Sequence, residues 1–227
     1  MPKMKNLAVT LLVLCCTLPL HAQLQKGTVL ISAEGNYQKS LSDNGPTTNH
    51  TQSKAKNLNL GVSLGLALRD NFVVGAGLGY YRSVEDRSSQ VFMGETISAE
   101  LMELTSSSFM PSVFAGYYAP IIDRLYLSTN LKLAYGNISS EYSTFMAFQS
   151  ISWSSSSEFR TAENSNSSDL FVTTFYPELT YFITPKLGLS LGLGGIAYSI
   201  PDWETDSASF LVNFNPAYWS FGLKLAL

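Results

Sequence analysis

The stretch NLNLGVSLGLALR, residues 57–69, alternates without a fault. Leu58, Leu60, Val62, Leu64, Leu66 and Leu68 take one set of positions; Asn57, Asn59, Gly61, Ser63, Gly65, Ala67 and Arg69 take the other. Successive side chains of a strand point to opposite faces, so the pattern predicts a strand with one wholly apolar face. Residues 72–82 repeat it, with Phe72, Val74, Ala76, Leu78 and Tyr80 set against Val73, Gly75, Gly77, Gly79 and Tyr81. Only Asp70 and Asn71 lie between the two runs, which predicts a tight hairpin.

The same grammar extends in both directions. Phe109, Val113 and Tyr117 lead through residues 120–123 into Leu125, Leu127, Leu131, Leu133 and Tyr135, and Phe175, Leu179 and Tyr181 lead through Thr184 and Pro185 into Leu187, Leu189, Leu191 and Leu193. One strand, about residues 28–38, precedes these hairpins, and one ends the chain at Trp219, Phe221, Leu223, Leu225 and Leu227. Eight strands are therefore expected. Pro111 and Pro177 sit inside predicted strands, where proline is confined to edges and bulges, and a parity shift upstream of Trp219 predicts a bulge near residues 216–219. Between the strands, short turns near Asp70, Ile121 and Pro185 alternate with long polar connections over about 39–55, 83–106, 137–168 and 200–209, which read as solvated loops.

Composition restricts what such a chain can be. The 227 residues are 45% apolar and 14% charged, with a mean hydropathy of +0.09, too apolar and charge-poor for a disordered tail. Yet beyond the first twenty residues no apolar run approaches the roughly 18–20 that a membrane helix needs. Residues 1–22 read as a secretory signal peptide: Lys3 and Lys5, an apolar core from Leu7 to Leu20, and a cleavage signal at Leu20-His21-Ala22 before Gln23. Residues 23–227 then form one domain without cysteine, because Cys15 and Cys16 leave with the leader, and neither disulfides nor thiolate sites are expected. Twelve basic and seventeen acidic residues remain, which argues against nucleic acid as a partner.

A soluble sheet also alternates, so the opposite face decides. There the second, third and seventh strands carry Gly, Ser, Ala and Asn, with few of the Lys, Glu and Thr side chains that coat a solvated exterior. Small residues suit the crowded inside of a narrow barrel, and leucines on the other face suit lipid. Tyr80, Tyr81, Tyr117, Tyr118, Tyr135, Tyr181 and Phe182 fall near strand ends, where interfacial girdles are expected. The reading is an all-β chain, a transmembrane antiparallel up-and-down β-barrel of eight strands. With its leader, its turn–loop alternation and the terminal strand WSFGLKLAL (219–227), the chain resembles the small eight-stranded outer-membrane barrels of the OmpA transmembrane domain and OmpX class, often called porin-like. The resemblance implies residence in the bacterial outer membrane, periplasmic termini, extracellular long loops, and dealings with outer-membrane lipid and the barrel-assembly machinery. That machinery usually meets a terminal aromatic residue; here the chain ends in Leu227. A monomer without cofactor is expected.

Sites are sparse. His50, paired in imagination with Asp43, is the sole basis for a rim enzyme acting on lipid or peptide, and one loop histidine is more simply solvated. Gly75, Gly77 and Gly79, and Gly192, Gly194 and Gly195, lack the spacing of a nucleotide fingerprint and read as space-saving lumen positions. Five charges are assigned to the lumen: Glu34, Arg82, Lys132, Glu178 and Lys224. Glu34 or Glu178 is expected to pair with Lys132 or Lys224, either plugging the barrel or gating a narrow conduit for small solutes. The long connections carry twelve acids (Asp43, Glu85, Asp86, Glu95, Glu100, Glu103, Glu141, Glu158, Glu163, Asp202, Glu204, Asp206) against five bases (Lys39, Lys54, Lys56, Arg87, Arg160), an acidic rim for surface partners. Within them Val91, Met93 and Ile97, and Phe145, Met146, Phe148, Ile151 and Trp153, suggest strands continuing above the membrane. The expected role is structural or surface-interacting, without catalysis.

Overall fold

A computed structural model of the chain describes residues 24–44, 49–93, 96–150, 157–201 and 208–227. The signal peptide, Ile151, Trp153, Glu95, Asp202, Glu204 and Asp206 lie outside the described residues.

Among the described residues ten strands form: β1 (Val29–Asn44), β2 (Asn49–Arg69), β3 (Phe72–Met93), β4 (Thr96–Ile122), β5 (Leu125–Ser150), β6 (Ser157–Phe182), β7 (Leu187–Gly192), β8 (Gly195–Pro201), β9 (Ser209–Asn213) and β10 (Ser220–Ala226). Every pairing is antiparallel, and β1 through β7 followed by β10 close an eight-membered ring through β5–β6 and β1–β10. The extra two strands are upper halves. The lower part of β6 pairs with β7 and its middle with β8, while β9 continues the line of β10 beside β8. The seventh stave is interrupted at Leu193-Gly194 and the eighth by a 3-10 turn at Pro216–Tyr218, where the parity shift predicts a bulge. Gly194 is needed there: its φ is +81°, and a Cβ would run into the carbonyl oxygen of Asn213.

The two prolines sit where the ladders are broken. Pro111 pairs with Leu78 on β3 but falls in a gap of the β4–β5 ladder, between Phe109↔Asn137 and Ser112↔Ala134. Pro177 lies opposite the interruption of the seventh stave, between Glu178↔Gly192 and Phe175↔Ile196.

The outward face is apolar and uncovered. Leu60, Val62, Leu64, Leu78, Val113, Leu131, Leu189 and Leu223 are between 45% and 59% exposed. Along β2 the apolar positions run from Leu58 to Leu68, an axial height of about 25 Å for a strand tilted as barrels require, the height of a bilayer-facing band. The buried residues line the inside, at the end carrying the short turns. Leu24, Leu30, Ala67, Val73, Tyr118, Tyr126, Phe182 and Ala226 pack together there. The segment before β1 folds across that end: Asn71 N donates to Leu24 O and Gly27 N to Ala67 O, both at 2.8 Å. The result is an apolar plug.

The polar connections are not open loops: the strands suggested at Val91, Met93 and Ile97 and at Phe145, Met146 and Phe148 do continue, and the pairing extends beyond them. Most of 39–55, 83–106 and 137–168 is strand, and β2 to β6 run for 21 to 27 residues. With water on both faces the hydrophobic alternation disappears while the ladder persists, held in part by polar cross-strand pairs: Ser106 and Ser140 hydroxyls at 2.9 Å, Ser53 Oγ to Glu85 Oε1 at 3.1 Å, Asn137 Nδ2 to Asp169 Oδ1 at 3.2 Å.

Candidate functional site

Immediately beyond the apolar plug lies a buried polar layer. Lys224 Nζ donates to Glu178 Oε2 and to Tyr118 Oη, each at 2.8 Å. Asn130 Nδ2 reaches the same carboxylate oxygen at 3.3 Å and Ser128 Oγ at 3.2 Å, and Ser128 Oγ in turn donates to the Glu178 carbonyl at 3.3 Å. Glu178 and Lys224 are each 4% exposed. A charge taken this far from water is tolerable only with a counter-charge and additional hydrogen bonds, and both are supplied. The fit depends on a small residue: a Cβ on Gly116 would collide with Asn130 Oδ1.

One layer further along, Lys132 Nζ stands 3.6 Å from Glu34 Oε1, with the two side chains 26% and 35% exposed. This pair forms the floor of a cavity of about 340 Å³ whose walls include Asn36, Tyr81, Met110, Val172, Tyr176 and Tyr218. Alternation thus brings four of the five expected lumen charges inside, as two separate pairs.

Arg82 is a correction. It is exposed and stands in register with Leu58 on β2, on the outward face with Leu78 and Tyr80. Parity is the reason, since residue 82 is an even number of steps from outward Phe72. At the edge of the apolar band a guanidinium reaches the polar headgroup zone at little cost. The aromatic girdle needs correction for the same reason. Tyr117, Tyr135 and Tyr181 are outward and exposed, and Tyr80 packs on outward Phe109 at 4.9 Å between ring centroids. Tyr118 and Phe182 are each 1% exposed inside the plug, and Tyr81 lines the cavity. Inward parity is the one sequence signal that marks Tyr118 and Asn130 as partners of the charges.

His50 and Asp43 do meet, Nε2 to Oδ1 at 3.3 Å, in the upper β1–β2 hairpin. Both are largely exposed, a solvated pair at the rim. No group of three or more His, Cys, Asp or Glu side chains that could hold a metal ion occurs among the described residues.

The closed ring, the apolar exterior and the polar lumen together fix the architecture. It is an eight-stranded β-barrel of the outer-membrane type. No protein-family model matches the sequence, and no curated protein matches it. Among solved structures the chain is similar to Ail, the attachment invasion locus protein of Yersinia pestis, at 13% identity over 89% of this chain and 100% of that one, with a TM-score of 0.33. It is also similar to the beta domain of the Bordetella autotransporter BrkA (10% identity, 88% and 99% covered, TM-score 0.27) and to the translocator domain of NalP from Neisseria meningitidis (11%, 88% and 87%, TM-score 0.25). Likenesses this loose carry no functional argument; the barrel stands on its own ring and band.

Proposed function

We propose that this protein is a non-catalytic barrel of the bacterial outer membrane that presents a protruding sheet to partners outside the cell, its termini facing the periplasm. The observation that carries the reading is the excess length of its strands. About 9 to 11 residues cross a bilayer, whereas β4 to β6 each run 26 or 27 residues. Above the band the sheet is open. Residues 161–169 of β6 and residues 37–44 of β1 have a strand partner on one side only among the described residues. Such an edge accepts an added strand through its backbone, and the surrounding carboxylates, including Asp86 opposite Glu103 on β3 and β4, favour a basic partner.

The test uses a basic peptide of alternating Lys and Val as an extended probe. Refolded protein should bind it, and a same-charge version interrupted by prolines should bind at least tenfold more weakly, because strand addition needs free N–H groups. Equal binding of both by the intact protein would leave only charge attraction and remove strand addition.

A further inference from the structure

The cavity above the lumen plug is built differently from the layer beneath it, and the difference is chemical. In the lower layer the lysine and glutamate are in hydrogen-bond contact at 2.8 Å and nearly inaccessible. In the upper one Lys132 and Glu34 face each other at 3.6 Å, too far for an N–H···O hydrogen bond, and both border open space. Gly61 helps to hold this arrangement open: a Cβ there would lie 3.0 Å from Glu34 Oε1, so the carboxylate rests against bare backbone. The floor therefore offers a carboxylate and an ammonium side by side, each with hydrogen-bonding capacity that the other does not saturate.

We propose that this cavity binds a small zwitterion of the free α-amino-acid type with an apolar or aromatic side group. The ligand's ammonium meets Glu34 and its carboxylate meets Lys132, replacing one loose ion pair by two charge-assisted contacts without adding net charge to the lumen. Its side group lies against Met110 and Val172, among the rings of Tyr81 and Tyr218, which line the walls above the floor. The walled space of about 340 Å³ matches one small molecule. A lipid acyl chain is disfavoured by the floor, where its end would desolvate two charges with nothing in exchange. The buried layer below makes the site blind, so the ligand enters and leaves on the side of the long strands.

Isothermal titration of the refolded full-length protein in detergent tests this, with L-phenylalanine as the probe and with N-acetyl-L-phenylalanine and L-phenylalanine amide as forms lacking one charge each. Saturable binding of one L-phenylalanine per barrel is expected, with each blocked form at least tenfold weaker. Glu34→Gln should erase the distinction between free and N-acetylated ligand, and Lys132→Gln that between acid and amide. Glycine should bind more weakly than L-phenylalanine for want of wall contact. Absence of saturable binding overturns the proposal. So do blocked forms that bind as tightly as the free amino acid, or Glu34→Gln and Lys132→Gln variants that still migrate as folded barrels and keep both distinctions. The site is independent of the protruding sheet, so a protein lacking residues 143–163 should bind L-phenylalanine unchanged.

Discussion

At the scale of single residues, the two lumen pairs should respond very differently to the same chemical change. Glu178→Gln removes the counter-charge of Lys224, an ammonium that is 4% exposed and has Tyr118 Oη as its other hydrogen-bond partner. A charge stranded in that setting costs roughly 3 to 5 kcal/mol. The refolded barrel should therefore unfold at clearly lower urea concentration, and the second change Lys224→Met should recover much of the loss by removing the stranded charge. Lys132→Gln, by contrast, opens a 3.6 Å pair at the edge of a cavity, and its effect on the midpoint should stay within that of about 1 kcal/mol. Urea titrations of the variants decide the matter, and equal shifts for Glu178→Gln and Lys132→Gln would mean that the lower pair is not the closed one. That both pairs lie inside was legible from alternation alone. Which acid meets which base was not, because β6 meets β10 only through β7, and the stagger of a closed ring is a property of no local stretch.

Among elements, the interruption of the last two staves is the feature most dependent on one residue. Gly194 combines a φ of +81° with close approach to the Asn213 carbonyl, so Gly194→Val cannot be absorbed by a rotamer change. It should destabilise the barrel by about 1 to 2 kcal/mol or more. Gly79→Ala is the control, because its new Cβ would meet Met110 at ordinary contact distances of 3.7 and 4.0 Å. Thermal shifts of migration in unboiled gels report both, and a Gly194→Val barrel as heat-resistant as Gly79→Ala would show the break to be incidental. The sequence signalled this element through the parity change around Phe210, Val212 and Phe214 and through the Gly194-Gly195 pair. The upward extension was legible only at Val91, Met93 and Ile97 and at Phe145, Met146 and Phe148; elsewhere Ser83, Ser106, Ser139 and Ser140 pair across strands with no apolar face to mark the period. Hydrophobic alternation reports a difference between two solvents, and above the bilayer there is only one.

Taken whole, the molecule is a wall around a lumen filled in successive layers, and the layers decide whether it conducts. Eight strands leave an interior just wide enough for side chains. Here that width is occupied first by Leu24, Val73, Tyr126 and Phe182, then by the Tyr118–Lys224–Glu178 layer, before any cavity begins. A column of water cannot pass such a stack, so the intact protein in a planar bilayer should show no unitary current steps. Removing the obstruction should create them. In the combined variant Leu24→Ala, Tyr118→Ala and Phe182→Ala the ring hydrogen bonds and the Lys224–Glu178 pair remain, while three of the largest side chains that seal the short-turn end are cut back, leaving Val73 and Tyr126 at its margin. Small steps should appear with little preference between cations and anions, because the exposed path carries two acids, Glu34 and Glu178, against two bases, Lys132 and Lys224. Migration of the unboiled variant as a folded barrel separates a true opening from leakage through damaged protein. Steps of equal size from the unaltered protein would mean that the packed layers open readily, and a narrow conduit would then replace the protruding sheet as the better account of what this barrel does.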